Sequence, residues 1–200
     1  MARIIIDKNS SRKEVILTKA ASLFREKGYK AASMRDLAES VGVEAASLYN
    51  HIKSKTELLH EICFGVANRF MHKMEEVEGE KISPIEKIEA LIRFHIDEMI
   101  LHYEEVYVMD REWKHLSDPY LSNFQNQRRM YRKRFAAIIE QGISLKNIKP
   151  IDASTAVLIL LHAIGGIESW HRSTQKISAE ALTANMISIL IGGIAASAKG

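Results

Sequence analysis

The chain has 200 residues, of which 46% are hydrophobic and 26% charged, with 10 Gly and 3 Pro; this excludes collagenous and low-complexity chains and favours a helical globular one with a sizeable core. One cysteine, Cys63, cannot form an intrachain disulfide, so a reducing, cytoplasmic setting is expected. The net charge of +3 is uneven: residues 1 to 60 carry eleven Lys/Arg against seven Asp/Glu, leaving the rest at −1, so the positive charge that could face a polyanion sits in the first third.

Apolar spacing predicts helices almost throughout. Ile16, Ala20, Leu23 and Phe24 recur at i, i+4, i+7 and i+8 and Gly28 follows as a left-handed cap, which places the first helix at about Ser11 to Lys27. Ser33 caps a short second helix carrying Met34, Leu37, Ala38 and Val41, Gly42 supplies a turn, and Glu44 to His51 forms a third. Ser54 and Glu57 make a capping box for a long fourth helix ending near Glu78. Ser83, Pro84 and Glu86 give the sharpest start signal, opening a fifth helix with Ile85, Ile88, Ile92, Ile96 and Met99 on its inner face. A sixth is expected from Glu104 to Leu116, and Ser117, Asp118 and Pro119 start a seventh that ends at Gly142. The last two, Ala153 to Arg172 and Ala179 to Ala196, are apolar nearly all round and so need burial on more than one side, by the chain itself or by another subunit. The expected fold is all-α with about nine helices, divided into a helix-turn-helix domain at 1–56 and a ligand-binding and dimerisation domain at 57–200. The longest unbroken apolar runs, Ala156 to Leu161 and Ile187 to Ile194, fall short of a bilayer span, and no signal peptide or membrane partner is expected.

Ser33 to His51 has the layout of a helix-turn-helix, in which Leu37, Val41, Val43 and Leu48 form a seam, Ala38 permits a close crossing, and Ala45, Ala46, Ser47 and Asn50 point outward. An ordinary helical hairpin has the same pattern. Tyr49, His51, Lys53 and Lys55 cluster just beyond, where hydroxyl, imidazole and ammonium groups could meet phosphates; equally, Tyr49 could fill the seam and His51 be a surface group.

These residues resemble the TetR family of bacterial transcriptional repressors. The likeness is carried by Ala21–Gly28 (ASLFREKG), Ser33–Ala38 (SMRDLA), Val41–Val43 (VGV) and Leu48–Leu59 (LYNHIKSKTELL), with His51 and Ile52 standing where the family more often has Tyr or His and Phe. The resemblance implies a homodimer that places the third helix of each subunit in successive major grooves of a palindromic double-stranded operator and leaves DNA when a small-molecule effector binds the larger domain. It implies phosphate contacts by Ser33, Tyr49, His51 and Lys55, and base contacts by Ala45, Ala46, Ser47 and Asn50. Arg12 and Met34 join the expected DNA-facing set, and Arg3, Lys8 and Lys13 could extend Arg12 into a basic arm.

In the second domain, Ile92, His95, Ile96, Met99 and Tyr103 share a face of helix five, Val106, Met109 and Trp113 one of helix six, and Phe124, Arg128, Tyr131 and Phe135 one of helix seven. With Phe70, these faces form either plain core or the lining of an apolar effector pocket. Arg128, Arg129, Arg132, Lys133 and Arg134 are too crowded for one face, which leaves some for solvent or for an anion. Glu112–Leu116 (EWKHL), Gln141–Ile143 (QGI), Gly166–Trp170 (GIESW) and Ile177–Glu180 (ISAE) look like the ligand domain of TetR-type repressors of fatty-acid and steroid degradation, which implies an acyl-CoA thioester as effector.

Two other classes leave traces in the sequence. His95, Glu98 and His102 lie close to one helix face, the pattern a metal-dependent helical enzyme would need, and an acyl-CoA or lipid carrier could share the fold. No nucleophile elbow, P-loop or His-Glu-x-x-His motif occurs, so no catalytic residue, metal ligand set or cofactor is expected. Ala163, Gly165, Gly166, Gly192, Gly193 and Ala195 would let backbones approach closely across a dimer contact.

Overall fold

The computed structural model describes residues 12–174 and 177–196, so Arg3 and Lys8 of the expected basic arm lie outside the described residues. Helix α1 (Arg12–Lys27) buries Ile16, Ala20, Ala21, Leu23 and Phe24 and stops where Gly28, at φ 79°, donates its N–H to Phe24 O at 2.9 Å. A left-handed residue at this point satisfies a carbonyl that the helix leaves bare, and glycine adopts it without a Cβ penalty. Helix α2 (Met34–Val41) is fixed at its start by a full capping box: Ser33 Oγ accepts the Asp36 N–H, and the Asp36 carboxylate accepts the Ser33 N–H. Gly42, at φ 75°, ends it, and α3 (Ala45–Tyr49) follows after two residues.

Among the described residues there follow α4 (Lys55–Gly79), α5 (Pro84–Leu101), α6 (Tyr103–Arg111), a 3-10 turn (Trp113–His115), α7 (Tyr120–Ser144), α8 (Ala153–Gly165), α9 (Ile167–Arg172) and α10 (Ala179–Ile194). The nine expected helices are therefore present among the described residues; the third is shorter than expected, Ala45–Tyr49 in place of Glu44 to His51, and two others differ in detail. The sixth tightens into the 3-10 turn before Leu116, and the eighth is interrupted at Gly166, whose backbone N–H turns to Ala163 O, giving α8 and α9. At the start of α7, Asp118 Oδ1 accepts both the Ser122 N–H at 3.1 Å and its hydroxyl at 2.5 Å.

Contacts divide the chain into two units that interleave along the sequence. The first takes residues up to Ala67 together with Glu104–Gln125; the second takes Asn68–Tyr103 and the chain from Asn126 onward. Helices α4 and α7, each of 25 residues, belong in part to both. In the first unit, α1, α2 and α3 close on a core of Phe24, Leu37, Leu48, Ile52, Leu58 and Leu59, each about 1.5–3 kcal/mol of burial free energy.

In the second unit α5 packs against α8, α9 and α10. The Ile148 side chain lies so close over Gly142 that a Cβ there would run into its Cδ1 and Cγ1, and Ile148 pairs through an isolated bridge with Ala195 after α10. Helix α8 buries one stripe, Ala153, Ala156, Val157, Leu160 and Ile164, yet leaves Leu158 51% and Ile159 58% exposed; Ile189 of α10 is 71% exposed. By length and composition alone Ala153–Arg172 is apolar enough to cross a bilayer, with mean hydropathy 1.3, although the unbroken apolar runs within it are short. Buried helices of water-soluble proteins meet the same test.

Candidate nucleic-acid interface and effector site

Helix α3 is held by its inner side and open on its outer side. Leu48 and Ile52 are fully buried, while Ala46, Asn50 and His51 are exposed, Ser47 is half-buried and Tyr49 is 50% exposed. Ala45 opens the helix; its side chain lies outside the described residues. The open side of Ala46, Ser47, Tyr49 and Asn50 thus has the expected composition, and no large apolar side chain of α3 is left uncovered on it apart from Tyr49. A short helix standing proud on a two-helix base is the shape that enters a major groove about 12 Å wide.

The flanking residues divide differently from the sequence expectation. Arg12 is exposed at the start of α1. Met34 packs partly buried against the core of the first unit, because it lies at the start of α2 on the same side as Leu37 and Ala38. Ser33 is exposed, but its hydroxyl donates to Asp36 at 2.5 Å and accepts from the Asp36 N–H, so its first duty is to the cap. Lys27 donates to Asp36 at 2.8 Å; that bond, followed by those from Ser33, holds the Asp36 carboxyl well below its ordinary range.

Lys55 behaves least as expected. Its ammonium donates to the carbonyls of Tyr29 at 2.8 Å, Ala32 at 2.8 Å and Lys30 at 3.2 Å, and it sits 4.6 Å from the Tyr29 ring centroid. An ammonium has three protons, and all three are engaged. Lys55 therefore clasps the start of α4 to the turn between α1 and α2. Exposed neighbours are better placed for phosphates: Lys53, whose backbone N–H donates to Glu57 at 2.6 Å, and Arg35, on the outer side of α2 with an 88% exposed side chain. Lys53 was in view from its position, whereas Arg35 is signalled only by being the cation of α2 opposite its apolar stripe.

The residues expected to meet the effector separate between the units. Met109, Trp113 and Phe124 belong to the first unit, where fully buried Phe124 stacks edge-on with Phe64 at 5.5 Å between centroids and lies 6.1 Å from Trp113. Phe70, Ile92, His95, Ile96, Met99, Arg128 and Tyr131 belong to the second. There the Phe70 and His95 rings stack at 4.3 Å, the Tyr131 ring stands edge-on to both, and His95 Nε2 and Tyr131 Oη are 2.7 Å apart. Burial pushes the His95 imidazole down to about 3 and raises the Tyr131 phenol, so both are neutral at pH 7. By surface area the residue is half-buried.

The cations of α7 also sort themselves. Arg134 is neutralised by Glu78, to which it donates from two nitrogens, and lies 3.6 Å from Glu75; Arg129 donates to Asn126; Arg132 and Lys133 face solvent; Arg128 is half-buried. His95, Glu98 and His102 do not converge. Glu98 accepts a bidentate pair from Arg69, with contacts of 2.9–3.2 Å, and exposed His102 ends α5, so among the described residues no group of three His, Cys, Asp or Glu is arranged to hold a metal ion.

A capped helix, a glycine turn and a short open helix on a shared core define a helix-turn-helix DNA-binding protein. The description "Bacterial regulatory proteins, tetR family" matches residues 16–62, and "Tetracyclin repressor-like, C-terminal domain" matches residues 81–194. The chain belongs to the TetR family and is a DNA-binding transcriptional regulator rather than an enzyme. It is 26% identical over 190 residues to the HTH-type transcriptional repressor KstR2 of Mycolicibacterium smegmatis, covering 94% of this chain and 93% of that one. To the negative regulator of the biofilm operon icaADBC, IcaR of Staphylococcus aureus, it is 28% identical over 163 residues, covering 80% and 82%. Its fold matches the structure of the ketosteroid regulator KstR2 of Mycobacterium tuberculosis with a TM-score of 0.86 at 24% identity, over 98% of this chain and 100% of that one. It also matches AibR in complex with isovaleryl coenzyme A and operator DNA with a TM-score of 0.79 at 23% identity, over 90% and 98%.

Proposed function

We propose that this regulator is a repressor that binds a palindromic operator as a homodimer and is released by a small effector with an apolar body, an acyl-CoA thioester being the first class to try. The observation that carries the reading is the open outer side of α3, with Leu48 and Ile52 buried beneath Ala46, Ser47, Tyr49 and Asn50. One copy of so short a helix contacts few bases. Two copies about 34–36 Å apart read two consecutive grooves, and phosphate contacts alone give only non-specific affinities of roughly 10⁻⁴ to 10⁻⁶ M. Asn50 is the base reader with most information, since an amide can address adenine bidentately, whereas Ala46 offers contact to a thymine methyl. Tyr49, His51 and Lys53 serve the phosphates, with Ser33 and Arg12 beside them.

Dimerisation uses the apolar sides of α8 and α10, where Leu158, Ile159 and Ile189 stand exposed and the glycines at 165, 166, 192 and 193 carry no side chain to hold a second copy off. The effector is received by the Phe70, His95 and Tyr131 group in the second unit. The solved complex of AibR, which contains isovaleryl coenzyme A and DNA, supports a thioester; the half-buried Arg128 supplies a cation for its phosphates. Binding biases α4, which both units share, and by linkage an effector that releases DNA binds more weakly when DNA is present. The protein acts where the chromosome is, in the cytoplasm. The test is fluorescence anisotropy of an operator fragment titrated with the full chain, then with decanoyl-CoA at fixed DNA occupancy. Release that saturates, with thioester affinity lowered by DNA to the same degree, supports the reading; thioester affinity indifferent to DNA would make the protein a carrier.

A further inference from the structure

The second unit contains a polar pair that neither DNA reading nor dimerisation uses. His95 and Tyr131 are bonded to one another at 2.7 Å between aromatic rings, Phe70 packing on both and Phe135 on Tyr131. Buried polar groups cost free energy unless they are paired, and a Phe pair would fill the same volume without that cost. The pair is half satisfied. Among the described residues His95 Nδ1 makes no hydrogen bond.

The proton count of the pair defines what it can receive. If the Tyr131 hydroxyl donates to Nε2, the ring keeps its N–H at Nδ1 and the phenol oxygen keeps a lone pair. If Nε2–H donates to the phenol oxygen, the pair keeps the O–H as donor and Nδ1 as acceptor. Either arrangement offers one further donor and one further acceptor and no net charge. That complements a carbonyl or a hydroxyl. A carboxylate would enter without a counter-charge from this pair and would bear its own desolvation.

We propose that His95 and Tyr131 form a specificity subsite for an uncharged hydrogen-bonding group, a ketone or hydroxyl, on the apolar part of the effector. The inference rests on the second unit being the effector domain and adds that a plain saturated chain is not its best occupant. A site built to bond such a group rejects an analogue lacking it more strongly than an apolar pocket rejects one with an extra methylene.

The test uses the full chain and two soluble probes of similar size, cyclohexanone and benzene, with ring ¹⁵N resonances of the histidines followed by NMR and His95 assigned from His95→Gln. Cyclohexanone is expected to shift the His95 signals saturably and to bind at least tenfold more weakly to Tyr131→Phe, while benzene binds both proteins alike and leaves the ring nitrogens near their starting positions. Absence of a saturable His95 shift in the wild type overturns the subsite, and so does a ketone preference that survives in Tyr131→Phe. The wild-type comparison stands even where a variant folds poorly. Operator anisotropy on the same samples separates the two ideas: DNA binding without a His95 shift removes the subsite alone, whereas absent DNA binding strikes the repressor reading.

Discussion

The buried imidazole of His95 makes a quantitative statement about acid stability. Its ordinary value is 6.5 and burial pushes it down to about 3, so between these limits the unfolded chain binds a proton that the folded chain does not. Stability then rises with pH across that window and falls on acidification below about 6.5. Full charging of the unfolded state down to pH 3 would cost about 5 kcal/mol at 1.36 kcal/mol per unit; from pH 7.5 to 5.0 the share is about 2 kcal/mol. For a chain of this length about 2 kcal/mol is a midpoint shift of about 4–8 °C. The assay is urea unfolding followed by circular dichroism at pH 7.5 and 5.0 for the wild type and His95→Gln, which keeps a hydrogen-bonding group beside Tyr131 but does not titrate. The stability lost between the two pH values is expected to be about 2 kcal/mol smaller in the variant, whatever its starting stability. Equal losses in the two proteins would refute the reasoning, because the ring would then gain its proton as easily inside as outside.

Lys55→Met keeps the alkyl stem over the Tyr29 ring but leaves three carbonyls without their donor, and is expected to lower stability by about 2 kcal/mol, measured by thermal denaturation. Gly142→Ala would drive a methyl within 2.8 Å of Ile148 Cγ1 and 3.2 Å of Pro84 Cβ, a loss of about 1–3 kcal/mol that Ile148→Ala in the same chain should partly relieve; additive losses would show that the two sites do not touch. In binding titrations Tyr49→Phe is expected to weaken all duplexes similarly. Asn50→Ala should instead change the preferred sequence, with about 1–3 kcal/mol lost at one position of each half-site, and a uniform loss would contradict its role.

Residues 12–62 were legible because their signals are local. A capping box, two glycines at positive φ and an apolar seam each act within a few residues, and Ser33, Gly28, Gly42, Leu37 and Leu48 all do in the structure what their spacing implies. Lys55 escaped that reading because its partners lie 23 to 26 residues earlier, and no periodicity reports a side chain that reaches back to carbonyls. The same limit applies to the effector domain. Helical spacing put Met109, Trp113 and Phe124 on inner faces, correctly, but a face does not state which core it meets, and these three joined the first unit because α6 and the start of α7 fold back onto it. Glu98 and the two histidines looked like neighbours by register; Arg69, from another helix, captured the carboxylate instead. The break at Gly166 was present in the sequence as a Gly-Gly pair inside an apolar run, where two residues without side chains weaken the helix enough for a single backbone turn to divide it.

The most direct measurement is selection of duplexes from a random pool by the full chain at moderate salt, with the recovered sequences aligned and the complex weighed by light scattering. Two inverted half-sites whose centres lie one helical turn apart, bound by an even number of chains and lost when Asn50 and Tyr49 are both replaced by alanine, are the result this account predicts. Recovery of no common sequence, or of one half-site bound by a single chain with unchanged affinity in the double variant, would contradict it.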